Sequence, residues 1–71
     1  MRLDYTKLKS KIVEKYGTQA NFATAINRTE SYVSMILHNK TYLTVAEVLY
    51  WSAVLGIGRD DIPIYFLTKV E

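Results

Sequence analysis

Few side chains in this sequence could do covalent or metal chemistry, and they are poorly spaced for it. His38 is the single histidine and cysteine is absent, so no metal-ligating cluster can be assembled. Asp60 and Asp61 are adjacent carboxylates on a probable-turn composition that suits capping a helix better than acid–base work. No nucleophile–base pair and no phosphate-binding glycine loop is recognisable. The chain is therefore not read as an enzyme, and no cofactor or metal is expected. What remains is contact chemistry. Lys7, Lys11 and Lys15 recur at i, i+4 and i+8, a stripe that could meet a polyanion or simply solvate a helix.

The charge distribution sharpens that point. Net charge is only +2, but residues 1–40 carry seven cations against three acids, whereas residues 41–71 carry two against four. Only the first half could offer a basic surface. Lysines also interrupt the N-terminus where a signal peptide needs an apolar run, and no apolar stretch nears the roughly 20 residues that span a bilayer. A cytoplasmic protein that engages no membrane is expected. With 71 residues and 49% hydrophobic composition, the chain fits a single domain, residues 1–71, with a packed core.

The elements that would position these groups are helices. Asp4 can cap a first helix from about Tyr5 to Tyr16, with Tyr5, Leu8, Ile12 and Tyr16 at helical spacing and Gly17 as its stop. Thr18 caps a second helix, Gln19 to Ile26, whose inner face is Phe22, Ala23 and Ile26. Asn27 tolerates the left-handed conformation and can turn the chain. Thr29 then caps a third helix, Glu30 to about His38, anchored by Val33, Ile36 and Leu37, with Asn39 as a second left-handed stop. Thr44 caps a fourth helix, Val45 to Leu55, apolar almost all round, which Gly56 ends. Trp51 and Tyr50 on it are expected in the core, with a partner-facing role as the alternative. Residues 62–71 could form a last short helix or an extended tail, because Pro63 suits either.

Gln19 to His38 carries the informative pattern. A helix-turn-helix needs a small residue where its helices cross, a turn residue accepting positive φ, and apolar anchors one turn apart on the second helix. Ala23, Asn27, and Val33 with Ile36 meet these needs, and Phe22 and Ile26 complete a small core. The fold class expected is all-α, a compact bundle of four to five helices containing a helix-turn-helix.

With segments 4–9, 14–19, 21–23, 37–40 and 55–57, the sequence resembles the lambda-repressor-like helix-turn-helix domains, and within them the small Cro-like and repressor-like regulators of temperate phages of Gram-positive bacteria. The likeness runs from Asp4 to about Leu67. It implies operator binding by the third helix, often as a homodimer on a two-fold double-stranded operator. Carried over by position, Gln19 would hold a phosphate at the start of the second helix. Glu30, Ser31, Tyr32, Ser34 and Met35 would face the major groove, flanked by Arg28 and Thr29. His38, Asn39 and Lys40 would touch the backbone beyond, and Lys7 or Lys11 could add a phosphate contact.

The sequence departs from that pattern in ways that bear on function. Asn27 stands for the usual turn glycine, and Arg28 occupies a normally apolar position. No lysine or arginine lies between Thr29 and His38, and Glu30 sits at the first base-reading position, where a carboxylate suits cytosine N4 but repels phosphate. Tyr32 and Met35 are residues that also suit a protein interface. Two functions are thus expected. The first is a regulator of the lysis–lysogeny switch that binds operator DNA through the helix at 30–38. The second is a modulator or antirepressor that binds a cognate phage repressor and alters its DNA binding.

Overall fold

The computed structural model describes residues 2–70. Its helices are α1 (Thr6–Tyr16), α2 (Gln19–Ala25), α3 (Glu30–Leu37), α4 (Val45–Leu55) and α5 (Ile62–Phe66), with a 3-10 turn at Arg59–Asp61 before the last. The fold is all-α, as the periodicity requires.

Local chemistry sets the helix starts. The hydroxyls of Thr18, Thr29 and Thr44 accept from the backbone N–H of Asn21, Tyr32 and Glu47, satisfying a donor that the first turn leaves without a helical partner. At α1 the arrangement is shifted: Asp4 Oδ1 accepts from both the Thr6 N–H and the Thr6 hydroxyl, so the helix begins at Thr6 and Tyr5 turns inward. Those two bonds, hydroxyl first, hold the Asp4 carboxyl below its ordinary pKa.

The ends of α2, α3 and α4 follow one pattern. At α2, Asn27 (φ +60°) lets its N–H reach Thr24 O and the Arg28 N–H reach Ala23 O, at 3.1 and 2.8 Å. At α3, Asn39 (φ +62°) does the same toward Ile36 O and, through Lys40, Met35 O. At α4, Gly56 (φ +71°) repeats it toward Ala53 O and, through Ile57, Ser52 O. Each is a left-handed stop that satisfies two otherwise orphaned carbonyls.

Every helix contributes to the core: Leu8 and Ile12, Phe22 and Ala23, Val33 and Ile36, Trp51 and Leu55, and Phe66 are all buried. The Trp51 ring meets Phe22 edge-on at 4.9 Å between centroids, and Phe22 tilts against Tyr16 at 5.5 Å. Tyr50, expected beside Trp51 in the core, is instead 49% exposed. A helix apolar on every side carries no phase information, and here the Trp51 face won.

The two ends of the chain are pinned together. Leu3 and Lys69 form an antiparallel bridge, with Asp4 N–H donating to Thr68 O and Val70 N–H to Arg2 O. The Asn39 amide then clasps the backbone of Leu3 from both sides: Leu3 N–H donates to Oδ1 at 2.7 Å, and Nδ2 donates to Leu3 O at 2.9 Å.

Candidate functional site on helix α3

The α2–turn–α3 unit is closed by the Arg28-to-Ala23 backbone bond and by burial of Phe22, Ala23, Ile26, Val33 and Ile36. That packing fixes which side of α3 faces outward. Seven of the eleven expected contact residues come together there: Gln19, Glu30, Ser31, Ser34, Met35, His38 and Lys40 line one shallow depression of about 490 Å³.

The polar groups of this surface are partly pre-committed. His38 Nδ1 lies 2.8 Å from Ser34 O and 3.2 Å from Ser34 Oγ. A carbonyl only accepts, so the short bond places the proton on Nδ1 and leaves Nε2 for other partners. Met35, one of the lining residues, is 43% exposed. The formal charges lining it are one carboxylate, Glu30, and one ammonium, Lys40, so the surface is close to neutral.

The other four expected residues lie elsewhere. Asn39 is turned toward Leu3 by its clasp, which uses one N–H and one lone pair of its amide. The Thr29 hydroxyl is occupied as the α3 cap. Arg28, in the turn before α3, and Tyr32, in its first turn, are both held by Glu47 of α4. Arg28 Nη2 pairs with Glu47 Oε1 at 3.1 Å, and the Tyr32 hydroxyl donates to Glu47 Oε2 at 2.6 Å. The guanidinium also stacks 4.9 Å from the centre of the Tyr32 ring, closing a triangle. Burial first, and the bond to Glu47 second, push the Tyr32 hydroxyl up to about 12. Tyr32 is therefore not on the outer face that the family resemblance implied; its hydroxyl is bound to Glu47 of α4.

Lys7 and Lys11 line a separate depression beside Glu14 and Tyr65, and Lys11 lies 4.0 Å from Glu14. They do not border the α3 surface. Glu47 was not singled out from the sequence. Its spacing from Thr44 is that of a helix-start acid, which reads as a local cap and conceals a side chain aimed at residues 15 and 19 positions away. Among the described residues there is no group of three or more acids and histidines that could hold a metal ion, and no helix is long and apolar enough to cross a membrane.

Residues 1–69 match the family described as "Protein of unknown function (DUF739)". No curated protein shows a significant match to the chain. Among solved structures, the chain is similar to the modulator of repression (MOR) of the temperate bacteriophage TP901-1 from Lactococcus lactis, in its solution structure. Identity is 43%, the TM-score is 0.84, and the match covers 100% of this chain and 97% of the other.

Proposed function

The chain belongs to the DUF739 family, and on that premise we propose that it is a phage modulator of repression, which binds a cognate repressor and alters its DNA binding. The observation that carries this reading is the 43% identity, across the whole chain, to a modulator of repression with the same fold. The α3 surface supports it. A nearly neutral depression lined by an exposed Met35 is suited to a protein partner, since thioethers and aromatics are enriched in interface cores and charges depleted. Glu30 at the start of α3 would meet a basic side chain that the repressor otherwise offers to DNA. The protein would act without catalysis, in the cytoplasm of the host.

Direct operator binding is the second reading. It rests on the α2–turn–α3 geometry and on Gln19 and Lys40 lining one surface, where they could hold phosphates of one duplex. Under this reading a homodimer is needed, because one subunit brings few cations.

A gel-shift titration on phage early-promoter DNA separates the two. The protein alone is expected to leave the DNA unshifted, and to change the shift made by the repressor when both are present. A specific shift by the protein alone would reverse the ranking.

A further inference from the structure

Glu47 touches two of the residues expected to meet a partner. It holds Arg28 through Oε1 and Tyr32 through Oε2, and Arg28 in turn lies over the Tyr32 ring. Arg28 is the only cation between Lys15 and Lys40. It sits in the turn leading into α3, where a duplex against that helix would bring its phosphates. Its side chain is half-exposed, so it could turn outward if nothing held it, while Glu47 is more sheltered at 22% exposure.

We propose that Glu47 is a specificity-determining residue for the α3 surface: it neutralises and retains Arg28 against Tyr32, so the surface presents no cation at the turn and selects a protein partner over nucleic acid. The proposal rests on the repressor-binding reading above and adds the residue that enforces it. The physical basis is competition. A phosphate must take Arg28 from a carboxylate that already offers it a charge-assisted bond and shares a short bond with Tyr32. Replacing the carboxylate with an amide of the same shape removes the charge and frees the guanidinium.

The test is the affinity of the full chain for a short random-sequence duplex, read by fluorescence anisotropy between about 50 and 200 mM salt, for wild type, Glu47→Gln, Arg28→Ala, the double variant and Glu14→Gln. Glu47→Gln is expected to bind about 3- to 10-fold more tightly than wild type at the lower salt, with the slope of log affinity against log salt steeper by roughly 0.9, the value of one added phosphate contact. The double variant should return to the wild-type affinity, because the gain runs through Arg28. Glu14→Gln, which removes a mostly exposed carboxylate on α1, should gain much less. Arg28→Ala alone should change DNA affinity little.

An equal gain from Glu14→Gln, or a gain that survives Arg28→Ala, would mean that net charge is responsible and would overturn the proposal. So would a clear loss on Arg28→Ala alone, a result that needs no folded Glu47 variant. Silence of Glu47→Gln beside a silent wild type sinks this inference and leaves the repressor-binding reading standing. Sequence-specific binding by the wild-type protein overturns both.

Discussion

The Tyr32 hydroxyl donates to Glu47 Oε2 across 2.6 Å, and this bond joins the first turn of α3 to the first turn of α4. It is an interaction between a neutral donor and a carboxylate, which ranks among the stronger hydrogen bonds available to a side chain. Tyr32→Phe removes the hydroxyl and keeps the ring beneath Arg28. The carboxylate left behind is partly sheltered but retains its bond to Arg28, so the cost should be about 0.5–1.5 kcal/mol, read as a lower urea midpoint at unchanged slope.

The same bond gives stability a dependence on alkaline pH. The Tyr32 hydroxyl is raised from an ordinary value near 10 to about 12, so folding favours its protonated form. The contribution is complete below about pH 10 and is lost as pH rises through about 12. Tyr5 is raised as well, by its burial, and acts in the same direction. Urea midpoints measured from about pH 9 to 11.5 should therefore fall in wild type and fall less steeply in Tyr32→Phe. Parallel curves for the two proteins would show that Tyr32 is not the group responsible.

Two asparagines with nearly identical backbone geometry should respond in opposite ways to glycine. Asn27 and Asn39 lie at φ +60° and +62°. Asn27→Gly removes the strain that a side chain suffers there and should be neutral or mildly stabilising, within about 0.5 kcal/mol. Asn39→Gly relieves the same strain but breaks both amide bonds to the Leu3 backbone, and should cost about 1–2 kcal/mol. Hydrogen exchange at the Leu3 and Asp4 amides should also speed up in Asn39→Gly alone.

Those two residues mark where sequence reading succeeds and where it stops. Thr18, Thr29, Thr44, Asn27, Asn39 and Gly56 were legible as caps and stops because each acts within a few residues of itself, and the backbone bonds they make are local. The Asn39 clasp spans 36 residues and the Tyr32–Glu47 bond spans 15, and neither leaves a periodic trace. The same limit explains the candidate surface. The family resemblance placed Glu30, Ser31, Ser34 and Met35 on one face with His38 beyond it, and they line one depression, whereas Tyr32 is held aside by a carboxylate on another helix. The terminal pairing of Leu3 with Lys69 had no local signal at all.

Trp51 offers a test of the core. Its ring is fully buried, yet among the described residues Nε1 has no hydrogen-bond partner. An unsatisfied buried donor costs about 1–3 kcal/mol, which Trp51→Phe would recover while losing part of the ring's packing. The two effects oppose each other, so Trp51→Phe should cost clearly less than the roughly 3–5 kcal/mol expected when a buried aromatic becomes alanine. Ile36→Ala, with no such offset, should cost about 2–4 kcal/mol. If Trp51→Phe proves as damaging as Trp51→Ala, then the indole N–H is satisfied in solution, by water or by a shifted acceptor.

The last prediction concerns the partner of the α3 surface. Glu30 and Met35 line one depression, the first a carboxylate in the opening turn of α3 and the second an apolar side chain one turn further on. If that surface holds a repressor, Met35→Ala removes its exposed apolar side chain and should weaken the complex by about tenfold, as the loss of an apolar anchor does. Glu30→Lys should weaken it comparably by setting like charges face to face. If the surface holds DNA, the signs differ. Glu30→Lys then adds a cation beside phosphates and should tighten binding, whereas Met35→Ala should alter it little. Lys40→Ala distinguishes the readings from another side, since on DNA it should lower the salt slope by roughly 0.9 across all sequences. All three positions are exposed and take no part in the core, so circular dichroism should show native helix content in each variant. Titrating the variants against the repressor and against early-promoter DNA, on one protein preparation, gives opposite signs for Glu30→Lys under the two readings, and that sign decides between them.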